Sequence, residues 1–380
     1  PVRASSFAFV PRPAVLIRRV QVQGLRRLVN VDLQPGPGFN LLIGDNGSGK
    51  TSLLEAMHLM AHGRSFRGRI RDGLVRSGEP ALQVFLEWEQ PGQPSRRGGL
   101  RHSGSAWEAR LDGNHVGQLG ELCEALAVIT FEPGSHALID GSSEVRRRYL
   151  DWGLFHVERR DAGGDFLSLW RRHARAHKQR NALLRQGRAD GQLDAWEHEL
   201  ALAGESITLQ REAYVARLQA HVDTLLAEIL PAAGAATLSL QPGWRRQELG
   251  LADALLLARE RDLAQGHTTV GPHRADLKLE FRDLPGRDGL SRGQAKLAAL
   301  VLLLAQASHL ATHAGHWPVL QLDDLASELD RHHQQRVLQV LVESRAQVFM
   351  TGTESIPALA SLADRHTTFH VEHGEIRPVV

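Results

Sequence analysis

The chain has 380 residues, a formal net charge of +2, 42% hydrophobic and 23% charged residues, and a single cysteine, Cys123. This is the balance of a soluble globular protein long enough for a large core and two lobes. It excludes a disulfide framework, fits a reducing cytoplasm, and leaves any affinity for nucleic acid to a local basic surface.

Residues 1–13 lack an apolar signal core and are broken by Pro11 and Pro13, so they are expected to form a disordered extension, not an export signal. From Leu16 to Leu33, the alternation of Val20, Val22, Val29, Val31 and Leu33 predicts two strands around a turn at Gly24. Phe39-Asn40-Leu41-Leu42-Ile43 predicts a third strand, and residues 52–57 open a helix that Gly63 would cap. Between them, Gly44-Asp45-Asn46-Gly47-Ser48-Gly49-Lys50-Thr51 is a complete G-x-x-x-x-G-K-[ST] phosphate loop in its required strand–loop–helix setting. Its glycines let backbone N–H groups turn toward phosphate oxygens at the positive end of a helix dipole. Lys50 is expected on the β- and γ-phosphates of ATP, with catalytic weight, and the Thr51 hydroxyl on Mg²⁺.

Residues 84–88 and 107–111, set off by Gly- and Pro-rich turns, predict an antiparallel layer, and residues 128–131 a strand stopped by Pro133-Gly134. From about 144 to 262 the pattern is helical. One helix is predicted over 166–186, with Phe166, Leu169, Trp170, His173, His177 and Leu184 on one face, and another over 193–230, stopped by Pro231. Strand signals return at 268–270 and 277–281. The apolar run 297–305 falls short of the roughly 20 residues of a membrane span and reads as part of a buried helix over 295–310. No membrane partner is expected.

Leu290-Ser291-Arg292-Gly293-Gln294 opens that helix. It resembles the signature of the ABC-type ATPases, in which a Ser hydroxyl and a Gly N–H at a helix start sense the nucleotide of a second subunit. Ser291, Gly293 and Gln294 are therefore candidate ATP contacts, although a plain N-capping Ser gives the same pattern. Val319-Leu320-Gln321-Leu322-Asp323-Asp324 reads as a buried strand ending in two carboxylates. Asp323 is expected to hold Mg²⁺ and Asp324 to orient the attacking water, where most such ATPases carry Glu. Gln321 is costly in such a strand unless its amide finds partners. Ser327-Glu328-Leu329-Asp330 resembles the D-loop, so Asp330 is a further candidate at the nucleotide. Thr353 stands where many relatives have a switch histidine, and Glu132 follows the strand at 128–131 where a Q-loop glutamine would be sought.

Between Arg146 and Arg188 lie twelve Arg or Lys against Asp151, Glu158, Asp161 and Asp165; Arg64, Arg67, Arg69, Arg71 and Arg76 form a second group. Such clusters supply salt-sensitive phosphate contacts, or else solvated faces with internal ion pairs. No aromatic platform interleaves them, so base readout is not indicated. His309, His313 and His316 have only chance-level metal spacing, and Cys123 reads as a small buried side chain.

Taken together, these segments resemble the RecF family of bacterial recombination-mediator ATPases, relatives of the SMC and Rad50 heads. The resemblance runs from Leu16 to the C-terminus and is tightest at 44–56, 62–67, 146–151, 178–184, 271–276, 290–297 and 322–330. It implies an α/β, ABC-type (SMC/Rad50-like) ATPase head with a mixed β core plus an inserted helical lobe. The head would comprise 14–132 and 263–380, and the lobe 133–262. It also implies a homodimer that sandwiches two ATP with Mg²⁺ and clamps single-stranded and gapped or junction DNA. With RecO and RecR it would help load RecA, released by a weak, DNA-stimulated ATPase. The 241 positions between Lys50 and Ser291 are too many for a transporter domain, and the long heptad arms of an SMC protein are absent. An ATP-gated DNA-binding adaptor with vestigial hydrolysis is the alternative.

Overall fold

The computed structural model describes residues 12–68, 73–104, 106–157, 165–282, 289–354, 359 and 366–379. Strands β1 (Leu16–Leu25) and β2 (Leu28–Leu33) form a hairpin, and β3 (Phe39–Ile43) leads into helix α1 (Lys50–His62). Next come β4 (Leu82–Glu89), β5 (Arg96–His102), β6 (Trp107–Leu111), β7 (Asn114–Val116), α2 (Leu119–Ala125) and β8 (Val128–Phe131). The middle of the chain is helical, with α3 (Ala137–Asp140), α4 (Ser143–Val157), α5 (Phe166–Arg185) and α6 (Gly191–Ile229). It continues with β9 (Ala236–Gln241), α7 (Leu251–Gln265), β10 (Asp276–Phe281) and α8 (Arg292–Ala314). The last part holds β11 (Val319–Leu322), α9 (Leu325–Glu328), α10 (Arg331–Ser344), β12 (Val348–Gly352), β13 (His366–Glu372) and β14 (Glu375–Val379).

The chain divides into two compact units. The first takes the described residues of Pro1–Ser135, Glu228–Leu230 and Leu300–Val380; the second takes those of His136–Ala227 and Pro231–Ala299. Residues 263–299, grouped with the head on sequence alone, fall in the second unit in this division, and the signature falls there with them.

The first unit holds two six-stranded sheets. One has the order β14-β13-β3-β12-β11-β8, with parallel pairing throughout except at the β13–β14 edge hairpin. Strands β12 and β11, and β8 at the edge, are buried at every position, which is why they read as largely apolar runs. The other sheet, β2-β1-β4-β5-β6-β7, is antiparallel and alternates buried with exposed positions. Helix α1 and this sheet share a core in which Leu53, Leu54, Met57 and Met60 meet Val20, Leu86, Trp88 and Leu100. Truncating one such leucine to alanine should cost about 2–5 kcal/mol. Strand β5, rich in Arg and Gly, carries no strand signal in the sequence. A Cβ at Gly98 would lie 2.8 Å from Met60 and 3.0 Å from Trp88, so glycine is what lets this part of the core close.

In the second unit, α5 and α6 cover the two expected helices to within a few residues, and α7 and the antiparallel pair β9–β10 complete it. Strand β9 lies within the stretch that reads as purely helical. Residues 268–270 form no strand. The Thr268 N–H and hydroxyl donate to Asn181 Oδ1, and those of Thr269 to Asp262 Oδ1, so side chains take the place of a ladder there. Arg180, fully buried, lies between Glu197 and Asp262 (both 2.8 Å) and also donates to Thr268.

Two smaller corrections concern β1 and the chain start, and α8 is the expected buried helix. The hairpin turn falls at Arg26-Arg27, with Leu25 paired to Leu28 and Arg26 at φ 52; Gly24 lies inside β1. The Pro13 carbonyl accepts from Trp317 N–H at 2.9 Å, so the last residue of the expected extension is tied down, while residues 1–11 lie outside the described ones. Helix α8 reaches 23 residues and is long and apolar enough to cross a membrane, but it is mostly buried inside the protein, as a core helix is.

Candidate nucleotide site

The phosphate loop leaves the carboxyl end of β3, beside the ends of β11 and β12, the usual place for a ligand in an open α/β sheet. Gly49 takes φ 125, where a side chain would be strained and its Cβ would press on Leu28 at 2.9 Å. It stands at the N-cap of α1 with no side-chain cap, so the first-turn N–H groups remain available to an anion. The Ser48 hydroxyl is buried without a partner among the described residues, a further donor that phosphate oxygens would satisfy. These features fit a triphosphate.

Lys50 is buried and bridges the Gly44 and Asp45 carbonyls at 2.6 and 2.8 Å. Burial lowers its pKa, against the pull of Asp324, Asp323 and Asp45. Asp323 is reached from two sides: the hydroxyls of Thr51 (2.9 Å) and Thr351 (2.7 Å) both donate to its Oδ1. Burial raises the pKa of this carboxyl, with those two hydroxyls opposing the shift. A hydroxyl and a carboxylate side by side are the oxygen donors Mg²⁺ uses when phosphates and waters complete its shell. The ion would add charge neutralisation at those oxygens. Asp324 sits in the left-handed region at φ 54, where its N–H donates to Thr351 Oγ1 (2.8 Å) and its carboxylate accepts from the Ser327 hydroxyl (2.8 Å). A cavity of about 360 Å³ is lined by Arg26, Arg27, Asn46, Gly47, Gly49, Lys50, Thr51, Arg67, Asp324 and Thr351, among others.

Sequence reasoning missed several residues at this cavity. Thr351 lies two residues before the expected switch position and ties Asp323 to Asp324. Glu55, with a fully buried side chain, is gripped by Arg26 through two hydrogen bonds (3.1 and 3.0 Å), accepts from the Ser65 hydroxyl and lies 3.8 Å from Arg67. Its one legible signal was its place four residues after Thr51, on the phosphate-loop helix. The Gln321 carbonyl oxygen accepts from Thr130 (2.8 Å), which also meets His58 Nδ1 (2.9 Å), while the Gln321 NH₂ is buried without a partner. Half of that cost is therefore met.

The remaining candidates stand elsewhere in the chain. Ser291 and Gln294 form a reciprocal capping box, Ser291 N–H to Gln294 Oε1 (2.9 Å) and Gln294 N–H to Ser291 Oγ (3.3 Å), with Gly293 exposed between them. The capping reading of this motif is thus real, and its outer face is open to solvent. Asp330 caps α10, accepting from His333 N–H (3.0 Å) and Nδ1 (2.6 Å), contacts that lower its pKa. Glu132 accepts from Gly134 N–H at 2.7 Å. Among the described residues no three His, Cys, Asp or Glu are grouped to hold a metal. In the basic clusters, Arg159, Arg160, Glu158, Asp161, Arg69 and Arg71 lie outside the described residues.

A family model described as the RecF/RecN/SMC N terminal domain matches residues 16–375. A DNA replication and repair protein RecF of Stenotrophomonas maltophilia (strain R551-3) is 60% identical over 364 residues, spanning 95% of this chain and 98% of that one. The protein of the same description from Stutzerimonas stutzeri (strain A1501) is 40% identical over 365 residues, spanning 95% and 96%. Among solved structures, a recombination mediator protein RecF with ATPrS, of the RecFOR pathway, superposes with a TM-score of 0.83 at 25% identity, covering 97% of this chain and all of that one (100%). A Pyrococcus furiosus Smc head domain bound to the C-terminal domain of ScpA reaches 0.58 at 14% identity over 96% of each chain, a likeness of fold.

Proposed function

The chain belongs to the RecF family, within the RecF/RecN/SMC N-terminal domain proteins, and on that premise we propose that it is an ATP-dependent DNA-binding protein of replication and recombinational repair. The observation that carries the reading is the cluster at the phosphate-loop cavity, where Lys50, Thr51, Asp323, Asp324 and Thr351 converge from α1, β11 and β12. Lys50 exchanges the Gly44 and Asp45 carbonyls for the β- and γ-phosphates, because a partly desolvated ammonium gains most from an anion. Thr51 and Asp323 hold Mg²⁺, and Thr351 keeps Asp323 aimed. Asp324 orients the attacking water and accepts its proton. The Ser327 bond to Asp324 links this carboxylate to the D-loop, so contacts made by a second copy there bear on turnover.

The solvent-open capping box at Ser291, Gly293 and Gln294 supports a site completed in trans: two chains sandwich two ATP and clamp DNA at gaps or single-strand–double-strand junctions. Slow hydrolysis then releases the clamp, which acts with RecO and RecR in loading RecA. Sizing the protein with and without Mg²⁺-ATP and gapped DNA tests this. A monomer under all conditions would overturn the clamp. Asp324→Asn should keep ATP binding, lower turnover about 10²–10⁴-fold and accumulate the dimer; unchanged turnover would assign the water to another group.

A further inference from the structure

Of the twelve cations between Arg146 and Arg188, five are taken by carboxylates: Arg146 by Asp276, Arg148 by Glu144, Arg172 by Glu199, Arg180 by Glu197 and Asp262, and Arg188 by Asp190. Arg147 is spent on Ser143 and the Ala275 carbonyl. Arg171, Arg175, Lys178 and Arg185 are different. All four lie on α5, all are exposed, and none has an ion-pair partner among the described residues. At 3.6 residues per turn they fall within a stripe about 80° wide and about 21 Å long. The other residue on that stripe between Arg171 and Arg185, Ala182, is small, and α5 contains no acidic residue. Glu199, the carboxylate that feels Arg175, is held by Arg172 at 2.8 Å. Arg175 itself lies over the Trp196 ring at 5.9 Å, which fixes its position.

We propose that this stripe is a backbone rail for duplex DNA, each cation meeting a separate phosphate of one strand. The assignment rests on the DNA-binding part of the reading above and locates it on the second unit. One strand advances about 3.4 Å of helix axis per phosphate while winding round the duplex, so a straight stripe laid along the strand faces about four phosphates, one for each cation. An acidic protein surface fits less well, because protein interfaces are built around an apolar or aromatic centre and this stripe has none.

The test replaces Arg171, Arg175, Lys178 and Arg185 together by Gln and follows a short fluorescent duplex by anisotropy between about 50 and 200 mM KCl, with ATP present. The slope of log affinity against log salt should become shallower by about 3.6, so that variant and wild-type affinities converge about 150-fold over that range. A second variant that keeps Arg175 on Trp196 should lose about 2.7. Binding of a fluorescent ATP analogue should be unchanged in both, which separates the rail from the nucleotide site. Wild-type slope in the quadruple variant overturns the rail, as does loss of polyglutamate binding with duplex binding intact. A wild-type protein that binds no duplex overturns the rail and the DNA-binding reading together.

Discussion

Buried charge is handled in opposite ways in the second unit and at the phosphate loop of the first. In the second, Arg180 is matched by Glu197 and Asp262, Arg211 by Asp151 and Arg146 by Asp276, so each buried guanidinium meets a carboxylate. At the phosphate loop of the first, Lys50 is held by carbonyls and Asp323 by hydroxyls. Neutral partners stabilise a charge less than an opposite one does, so the nucleotide site keeps electrostatic free energy in reserve for a ligand. The second unit has spent its charge on holding itself together.

Substitutions should separate the two. The largest effect is expected for Lys50→Met, which should abolish ATP binding and ATP-dependent dimerisation while leaving the urea midpoint nearly unchanged, since a partly desolvated ammonium is lost. A fall in stability as large as the loss of binding would break the contrast. Arg180→Met should do the reverse. It takes the buried cation away from Asp262, which is left to Thr269, and from Glu197, which keeps Arg259, and should cost about 3–5 kcal/mol by denaturant unfolding; nucleotide affinity measured below the transition should stay near wild type.

Acid should also act on the second unit. Burial pushes the pKa values of His173 and His273 down to about 3 from the ordinary 6.5, aided by their mutual proximity and that of His177. The folded protein keeps them neutral, whereas the unfolded chain protonates them near 6.5. Their stabilisation is therefore complete above pH 6.5 and is lost as pH falls toward 3. Between pH 7 and 5 this amounts to on the order of 2 kcal/mol per histidine. Chemical unfolding at the two pH values measures it, and His173→Gln should flatten the dependence; a variant with the wild-type pH profile would contradict the assignment. The smallest effect is expected for Thr351→Val. It leaves the Asp324 N–H without its acceptor, at about 1–3 kcal/mol of stability, and raises the Mg²⁺ needed for ATP hydrolysis about 10–100-fold. An unshifted Mg²⁺ dependence would remove Thr351 from the site.

What could be read from the chain alone was local. The phosphate loop, the capping box at Ser291 and the Asp323-Asp324 pair each depend on neighbours within a few positions, where spacing fixes geometry. The convergence of the loop with the Asp323-Asp324 pair was legible only through family resemblance. Helices α5 and α6 were legible because amphipathic period and stop signals are also local. Strand β5 was not, because its glycine answers to Met60 and Trp88, and β9 was not, because its register is set by β10 across α7.

For charge, the sequence determined how many cations lie between Arg146 and Arg188, and only the tertiary structure decided which of them remain available. Asp276 stands 130 positions from Arg146, and Asp262 82 from Arg180. A carboxylate that far along the chain reaches its arginine only once the core has formed. Likewise Thr351 joins the cavity only when β12 brings it beside Asp323 and Asp324, because a hydrogen bond requires contact in space and not proximity in sequence.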